Sequence, residues 1–102
     1  MTNPQSIYDL FSVRGRRALV TGGSAGLGRA MAEALVAGGA SVAIAARSQR
    51  IFDAAREMGA VPLQVDLADR AQVTALVDRA VGSLGGLDIL VNNAGAQIRH
   101  PA

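Results

Sequence analysis

Apolar residues along the chain alternate between two arrangements, short unbroken runs and stripes at helical spacing. ALVT at 18–21 is an apolar run that stops at glycines, as a strand buried on both faces does. Leu27, Ala30, Met31, Ala34 and Leu35 then fall at i, i+3, i+4, i+7 and i+8, the stripe of one helix, which Gly38 and Gly39 end. SVAIAA at 41–46 predicts a second buried strand, residues 48–58 a short helix closed by Gly59, and VPLQV at 61–65 a third strand. Pro62 sits near the start of that strand, where a missing N–H donor costs least. Asp69 is placed to cap the next helix, with Gln72 spaced to complete a capping box. Val73, Leu76, Val77, Ala80, Val81 and Leu84 give that helix its apolar stripe, and Gly85 and Gly86 end it. LDILV at 87–91 predicts a further strand, and NNAG follows at once.

The order is β-α-β-α-β-α-β. Near-continuous apolar strands between amphipathic helices predict a parallel sheet covered on both faces. Right-handed crossovers then give a doubly wound α/β fold. In such a sheet a ligand binds at the carboxyl ends of the strands. Residues 1–15 are polar with one apolar patch, Ile7, Leu10 and Phe11. They read as an arm that docks on a domain formed by 16–102.

Composition narrows the chemistry. The chain has 102 residues, a length for one domain, and 50% of them are apolar. Its aromatics are Tyr8, Phe11 and Phe52, so the core is built from Val, Leu, Ile, Ala and Met. All ten basic residues are Arg, and the net charge is only +2. Nucleic acid would require a concentrated basic face. Arg14, Arg16 and Arg17 form the one cluster and read as solvated residues before a strand, so no nucleic-acid partner is expected. No Cys and a single His leave no disulfide and argue against structural zinc. MTNPQSIYDLF lacks the basic flank and apolar run of a secretory signal. No window has the length of a membrane span. The expectation is a cytoplasmic protein without a membrane partner.

The unusual residues all sit at the expected carboxyl ends. After the first strand comes TGGSAGLG, with four glycines between 22 and 28, opening a helix. A phosphate needs backbone N–H groups close by and gains from the positive end of a helix. Gly22 permits a sharp exit from the strand, Gly26 lets backbone approach a pyrophosphate, and Gly28 lets the helix pack closely. Ser24 offers a hydroxyl, and Ala25 and Leu27 contribute backbone to the same loop. The spacing is not G-x-G-x-x-G, and without a following Lys it is not a P-loop. At the end of the second strand an NAD site places an acid for the ribose 2′-OH. This chain has Arg47 there, a residue suited to a 2′-phosphate and hence to NADP, with Arg50 close by. Asp66 and Leu67 follow the third strand. The amides of Asn92 and Asn93 are suited to bridging neighbouring strand ends.

These motifs resemble those of the short-chain dehydrogenases/reductases. The family's cofactor signature T-G-x-x-x-G-x-G is matched by Thr21 to Gly28, and its N-N-A-G signature by Asn92 to Gly95. The resemblance runs from about Arg16 to the end. It implies a Rossmann fold and an oxidoreductase that transfers a hydride between NADP or NAD and a carbonyl or alcohol. It further implies that Asp66 and Leu67 contact the adenine ring, and that Asn93, Ala94 and Gly95 support the sheet against the cofactor. A homo-oligomer is implied for a full-length form. The tail Gln97 to Pro101 and the DLF arm are similar to gluconate 5-dehydrogenase-type members, which points to a sugar acid or polyol. Keto-reductases of acyl thioesters share most of the same features.

The family's catalytic Tyr-x-x-x-Lys is not found in these residues. The chain has one tyrosine, Tyr8, ahead of the first strand, and no Lys. No catalytic residue is therefore assigned. The expectation is the cofactor-binding part of a dehydrogenase, a partial sequence inactive by itself. In the family's strand order LDILV lies inside the sheet, so here it forms an exposed edge, and the isolated chain is expected to be marginal or self-associating. A stand-alone NAD(P)-binding module without catalysis is the alternative. A methyltransferase on a similar fold is disfavoured by the glycine spacing and NNAG.

Overall fold

Backbone pairing joins four strands into one parallel sheet of order β3-β2-β1-β4. The computed structural model describes residues 12–93. Chain order runs β1 (Arg17–Thr21), α1 (Gly26–Ala37), β2 (Ser41–Ala46), α2 (Arg50–Met58), β3 (Val61–Gln64), α3 (Arg70–Leu84) and β4 (Ile89–Asn92). This is the alternation read from the sequence, with boundaries moved by two residues at most. Ile7, Leu10 and Phe11 of the expected arm lie outside the described residues.

Strand alternation splits the core into two layers. Ala18, Val20, Val42, Ile44 and Ala46 face Ala32 of α1 and Ile51, Ala54 and Ala55 of α2. Leu19, Ala43, Ala45, Leu63 and Val65 face Leu76 and Ala80 of α3 on the other side. Helices on both faces leave no solvent side for β1 or β2, which is why their apolar runs are unbroken. Alanine is the commonest residue of the first layer and equals leucine in the second, so the helices lie close to the strands. Pro62 is on β3, an outer strand, and it pairs in register with Ile44. An outer strand tolerates the lost donor.

Two apolar stripes behave differently from the expectation. In α1 the buried residues are Gly28 and Ala32, while Leu27 is 66% exposed and Ala30 and Ala34 are exposed. The helix is rotated so that its smallest residues meet the sheet, because close approach matters more there than apolar area. In α3 only Leu76 and Ala80 are buried, and Val73, Val77 and Val81 remain 40–42% exposed. That helix lies over β2 and β3. It leaves the same face of β4 uncovered, where Leu90 is 56% exposed.

Helix ends show how local chemistry fixes the frame. Asp69 accepts from the N–H groups of Ala71 and Gln72 at the start of α3, as an N-cap should. The reciprocal half of the expected capping box is not made. Gln72 Oε1 instead accepts from the Asp66 N–H at 2.7 Å, and Asp69 N–H donates to the Asp66 carbonyl. Arg17 is likewise more than a solvated residue. Its guanidinium donates to the Gly85 carbonyl at 2.6 Å, beside Asp88 at 3.8 Å. The Arg17 N–H donates to Asp88 Oδ2, and the Asp88 N–H donates to the Arg17 carbonyl. This clasp aligns β4 with β1.

Leu19 and Leu90 are register partners on one face of the sheet, one fully buried and one exposed. In the 102-residue chain Leu19→Ala is expected to cost about 2–5 kcal/mol of unfolding free energy. Leu90→Ala is expected to cost below ~1 kcal/mol in the same urea melts. Equal costs would mean that something covers β4.

Candidate functional site

The described residues assigned to a cofactor site in the sequence lie along the carboxyl edge of the sheet. Across that edge come Asp66 after β3, Arg47 after β2, the glycine loop after β1, and Asn92 and Asn93 at β4. β1 lies between β2 and β4, so the chain reverses its direction of winding there. The crevice of a doubly wound sheet opens at this switch point.

The glycine loop is shaped by three separate demands. Gly22 has φ +71° and donates its N–H to the Ala45 carbonyl at 2.7 Å, which turns the chain off β1 toward β2. Gly28 begins the buried face of α1. A Cβ there would stand on the Gly22 carbonyl oxygen and 2.6 Å from Asn93 Nδ2. Gly26 has φ +59° and open space around it. A side chain at Gly26 would project into that space and would be strained by the backbone. Gly23 was not assigned a role from the sequence. A Cβ there would meet Ile44 side-chain atoms at 2.8 Å, so it is a packing glycine. Only its place in a dense glycine cluster signalled it.

The N-terminus of α1 is suited to an anion. Its N-cap is Ala25, in extended conformation and without a side-chain cap. The first-turn N–H groups of a helix have no partner within the helix, and the dipole adds positive potential. α3 uses Asp69 for the same groups, and α2, whose N-cap Gln49 also lacks a side-chain bond, has the Ser48 hydroxyl accepting from the Arg50 N–H. Ser24 is half-buried in the loop, and Ala25, Gly26 and Leu27 are exposed beside it.

Asn93 and Asn92 join β4 to this loop. Asn93 is buried and its Nδ2 reaches the Gly22 carbonyl at 3.5 Å, a long contact. Thr21 is also buried and donates to Asn92 Oδ1 at 3.0 Å, with the Val91 carbonyl at 3.4 Å. The bridging expected of these amides is thus made across β1 and β4. Ala94 and Gly95 lie outside the described residues, as do Gln97, Ile98, Arg99 and His100.

The charged residues divide into tied and available ones. Arg29, in the first turn of α1, donates to Glu57 Oε1 at 2.8 Å and Glu33 Oε2 at 3.2 Å. These bonds, with Glu57 first and Glu33 second, push the guanidinium above its ordinary pKa. Arg29 therefore clasps α1 to α2 instead of serving the loop. Arg47 is exposed, and its carbonyl accepts from Gln64 Nε2 at 3.0 Å. Asp66 Oδ1 accepts from the Ala68 N–H at 3.0 Å, which forms the turn into α3, and Leu67 is half-buried next to it. Among the described residues no group of three His, Cys, Asp or Glu is placed to hold a metal, and no helix is long and apolar enough to cross a membrane.

Comparison with known proteins agrees with this geometry. The model of the short chain dehydrogenase family matches residues 16–102. An uncharacterized oxidoreductase of Mycobacterium tuberculosis is 35% identical over 98 residues, which cover 87% of this chain and 29% of that protein. Among solved structures, the TT0495 protein of Thermus thermophilus is 53% identical with a TM-score of 0.75, covering 84% of this chain and 35% of its own. A short chain dehydrogenase of Burkholderia cenocepacia, solved in complex with NADP, is 44% identical with a TM-score of 0.74, covering 78% and 36%. The chain thus spans about a third of the length of the proteins it matches.

Two glycines test the loop against an ordinary helix position. Gly28→Ala places a methyl against backbone and is expected to cost about 1–3 kcal/mol in a urea melt. Gly82 lies within α3 with nothing near its missing Cβ. Gly82→Ala is expected to stabilise the chain by up to about 1 kcal/mol in the same measurement.

Proposed function

The chain belongs to the short chain dehydrogenase family, and on that premise we propose that it forms the cofactor-binding part of an NADP-preferring oxidoreductase. The reaction is hydride transfer between a nicotinamide and a carbonyl or alcohol. The carrying observation is the uncapped N-terminus of α1, which opens a glycine loop at the switch point of the sheet.

The proposed roles follow from placement. The loop at Ser24, Ala25, Gly26 and Leu27 presents N–H groups to the pyrophosphate, with no acidic residue in the first turn of α1 to repel it. Gly22 and Gly28 hold that loop in shape. Arg47 stands where an NAD site has an acid and pairs with the adenosine 2′-phosphate. Asp66 and Leu67 border the adenine. Asn93, with Ala94 and Gly95 beyond the described residues, forms the wall under the nicotinamide side. The nicotinamide supplies or takes the hydride when bound. This chain's residues bind and orient it; with Tyr8 as sole tyrosine and no Lys, the 102 residues carry no family proton donor. The proposed substrate is a small polyol or sugar acid, on the strength of Gln97 to Pro101.

Binding without turnover tests the cofactor reading. NADPH is expected to bind the chain more tightly than NADH, followed by nicotinamide fluorescence. Arg47→Ala is expected to lower NADPH affinity by about 10-fold or more and leave NADH within ~2-fold, since a charge-assisted contact of ~1.5–3 kcal/mol is lost. Equal affinities in the parent chain, or an Arg47→Ala chain that keeps the preference, would sink the NADP assignment. Failure to bind either dinucleotide would sink the binding reading itself.

A further inference from the structure

We propose that Gln64 is a positioning residue for dinucleotide selectivity, acting through Arg47; the inference rests on the reading of Arg47 given above. Gln64 closes β3 and is in register with Ala46, the last residue of β2. The final backbone bond between the two strands runs from the Val65 N–H to the Ala46 carbonyl at 3.0 Å. The Arg47 carbonyl lies one residue past the end of β2, outside that ladder. The Gln64 side chain meets it, donating Nε2–H at 3.0 Å. One side chain thus ties the first peptide group after β2 back to β3.

That peptide group fixes the direction of Arg47. Beyond it the chain is held again, because Ser48 accepts from Arg50 N–H at its hydroxyl and from Ile51 N–H at its carbonyl. Arg47 is the residue between two anchored segments, and Gln64 removes the freedom that remains. Gln64 is itself held from α3, where Arg79 donates to its carbonyl at 3.0 Å. β3 is an outer strand, so this carbonyl would otherwise face solvent. The sequence Arg79, Gln64, Arg47 links α3 to the end of β2 through two bonds, each from a side chain to a backbone carbonyl.

The consequence is specific to the 2′-substituent. A loosened Arg47 must be ordered again when it pairs with a 2′-phosphate, but a dinucleotide without that phosphate asks nothing of it. Gln64→Met keeps the length and apolar stem of the side chain and removes the donor. Gln64 is exposed at the end of an outer strand, so the substitution leaves both core layers intact.

The experiment measures NADPH and NADH dissociation constants for the parent chain, Gln64→Met, Arg47→Ala and the double variant. The NADPH-over-NADH preference is expected to fall about 3- to 5-fold in Gln64→Met, the worth of one neutral hydrogen bond, with NADH changed less than ~2-fold. In the Arg47→Ala background the Gln64 substitution is expected to change nothing further, the mark of two residues acting on one interaction. An unchanged preference in Gln64→Met overturns the proposal. So does equal weakening of both cofactors, which is a structural role, or a loss of preference that persists without Arg47. If Arg47→Ala keeps the parent preference, it is the Arg47 reading that fails, whatever Gln64→Met does.

Discussion

Gly28 has no room for a side chain, because a Cβ would meet the Gly22 carbonyl and the Asn93 amide together. This contact joins the first turn of α1, the exit of β1 and the end of β4 at one point. It requires α1 to approach the sheet with its smallest residues, so Ala32 follows Gly28 on the buried face, and Leu27 is turned outward. The helix axis is thereby brought over the switch point with its N-terminus toward the crevice. Ala25, the exposed N-cap of this helix, has no side chain able to cap it. Close packing at Gly28 and a helix N-terminus without a side-chain cap thus occur together at the switch point of the sheet.

The rest of the molecule keeps this junction in register. The Arg17 and Asp88 clasp sets β4 against β1 at the amino end, and the Thr21 and Asn92 bond does so at the carboxyl end. Between them the Leu19 and Leu90 pair has one buried and one exposed member. Polar bonds at both ends thus frame this strand pairing, and on its other face Ile89 and Val91 pack against the core beside Ala18 and Val20. On the other side, β2 and β3 are sealed by two full layers, with Ile44 and Leu63 in opposite ones. Stability is concentrated there, and alignment of the site is concentrated at β1 and β4.

Much of this was legible in the sequence. Strand runs and glycine stops gave every element, since parallel strands covered on both faces leave an unambiguous apolar signature. The positions of Gly22, Gly28, Arg47, Asp66 and Asn93 along one edge followed from the alternation itself. Helix faces were less legible. Leu27, Ala30 and Ala34 make a good stripe at helical spacing, but spacing does not say which stripe meets a sheet when a glycine demands contact. In α3 the stripe spans more than the sheet covers, so Val73, Val77 and Val81 stay outside. Gln72 fits the capping-box spacing, yet its Oε1 accepts from the Asp66 N–H, because the Asp69 N–H is already bonded to the Asp66 carbonyl. Long-range side-chain bonds, such as Gln64 to Arg47, leave no periodic trace at all.

The two outer strands are finished in opposite ways, and the difference bears on the site. β3 carries Pro62, which cannot donate, and its Gln64 carbonyl is occupied by Arg79. Such an edge offers little to another strand. β4 carries Ile89, Leu90 and Val91 with no proline and no charge, and Leu90 is more than half exposed. On its other face Val91 shares a groove of about 330 Å³ with Val13, Met31, Ala34 and Leu35. Both faces of β4 therefore carry apolar surface, next to Asn93. Whatever covers them also becomes a wall of the crevice. Polar anchoring at this edge is shared by β1 and β4 through Thr21, Asn92 and Asn93, and the β4 side adds the exposed apolar surface of Leu90.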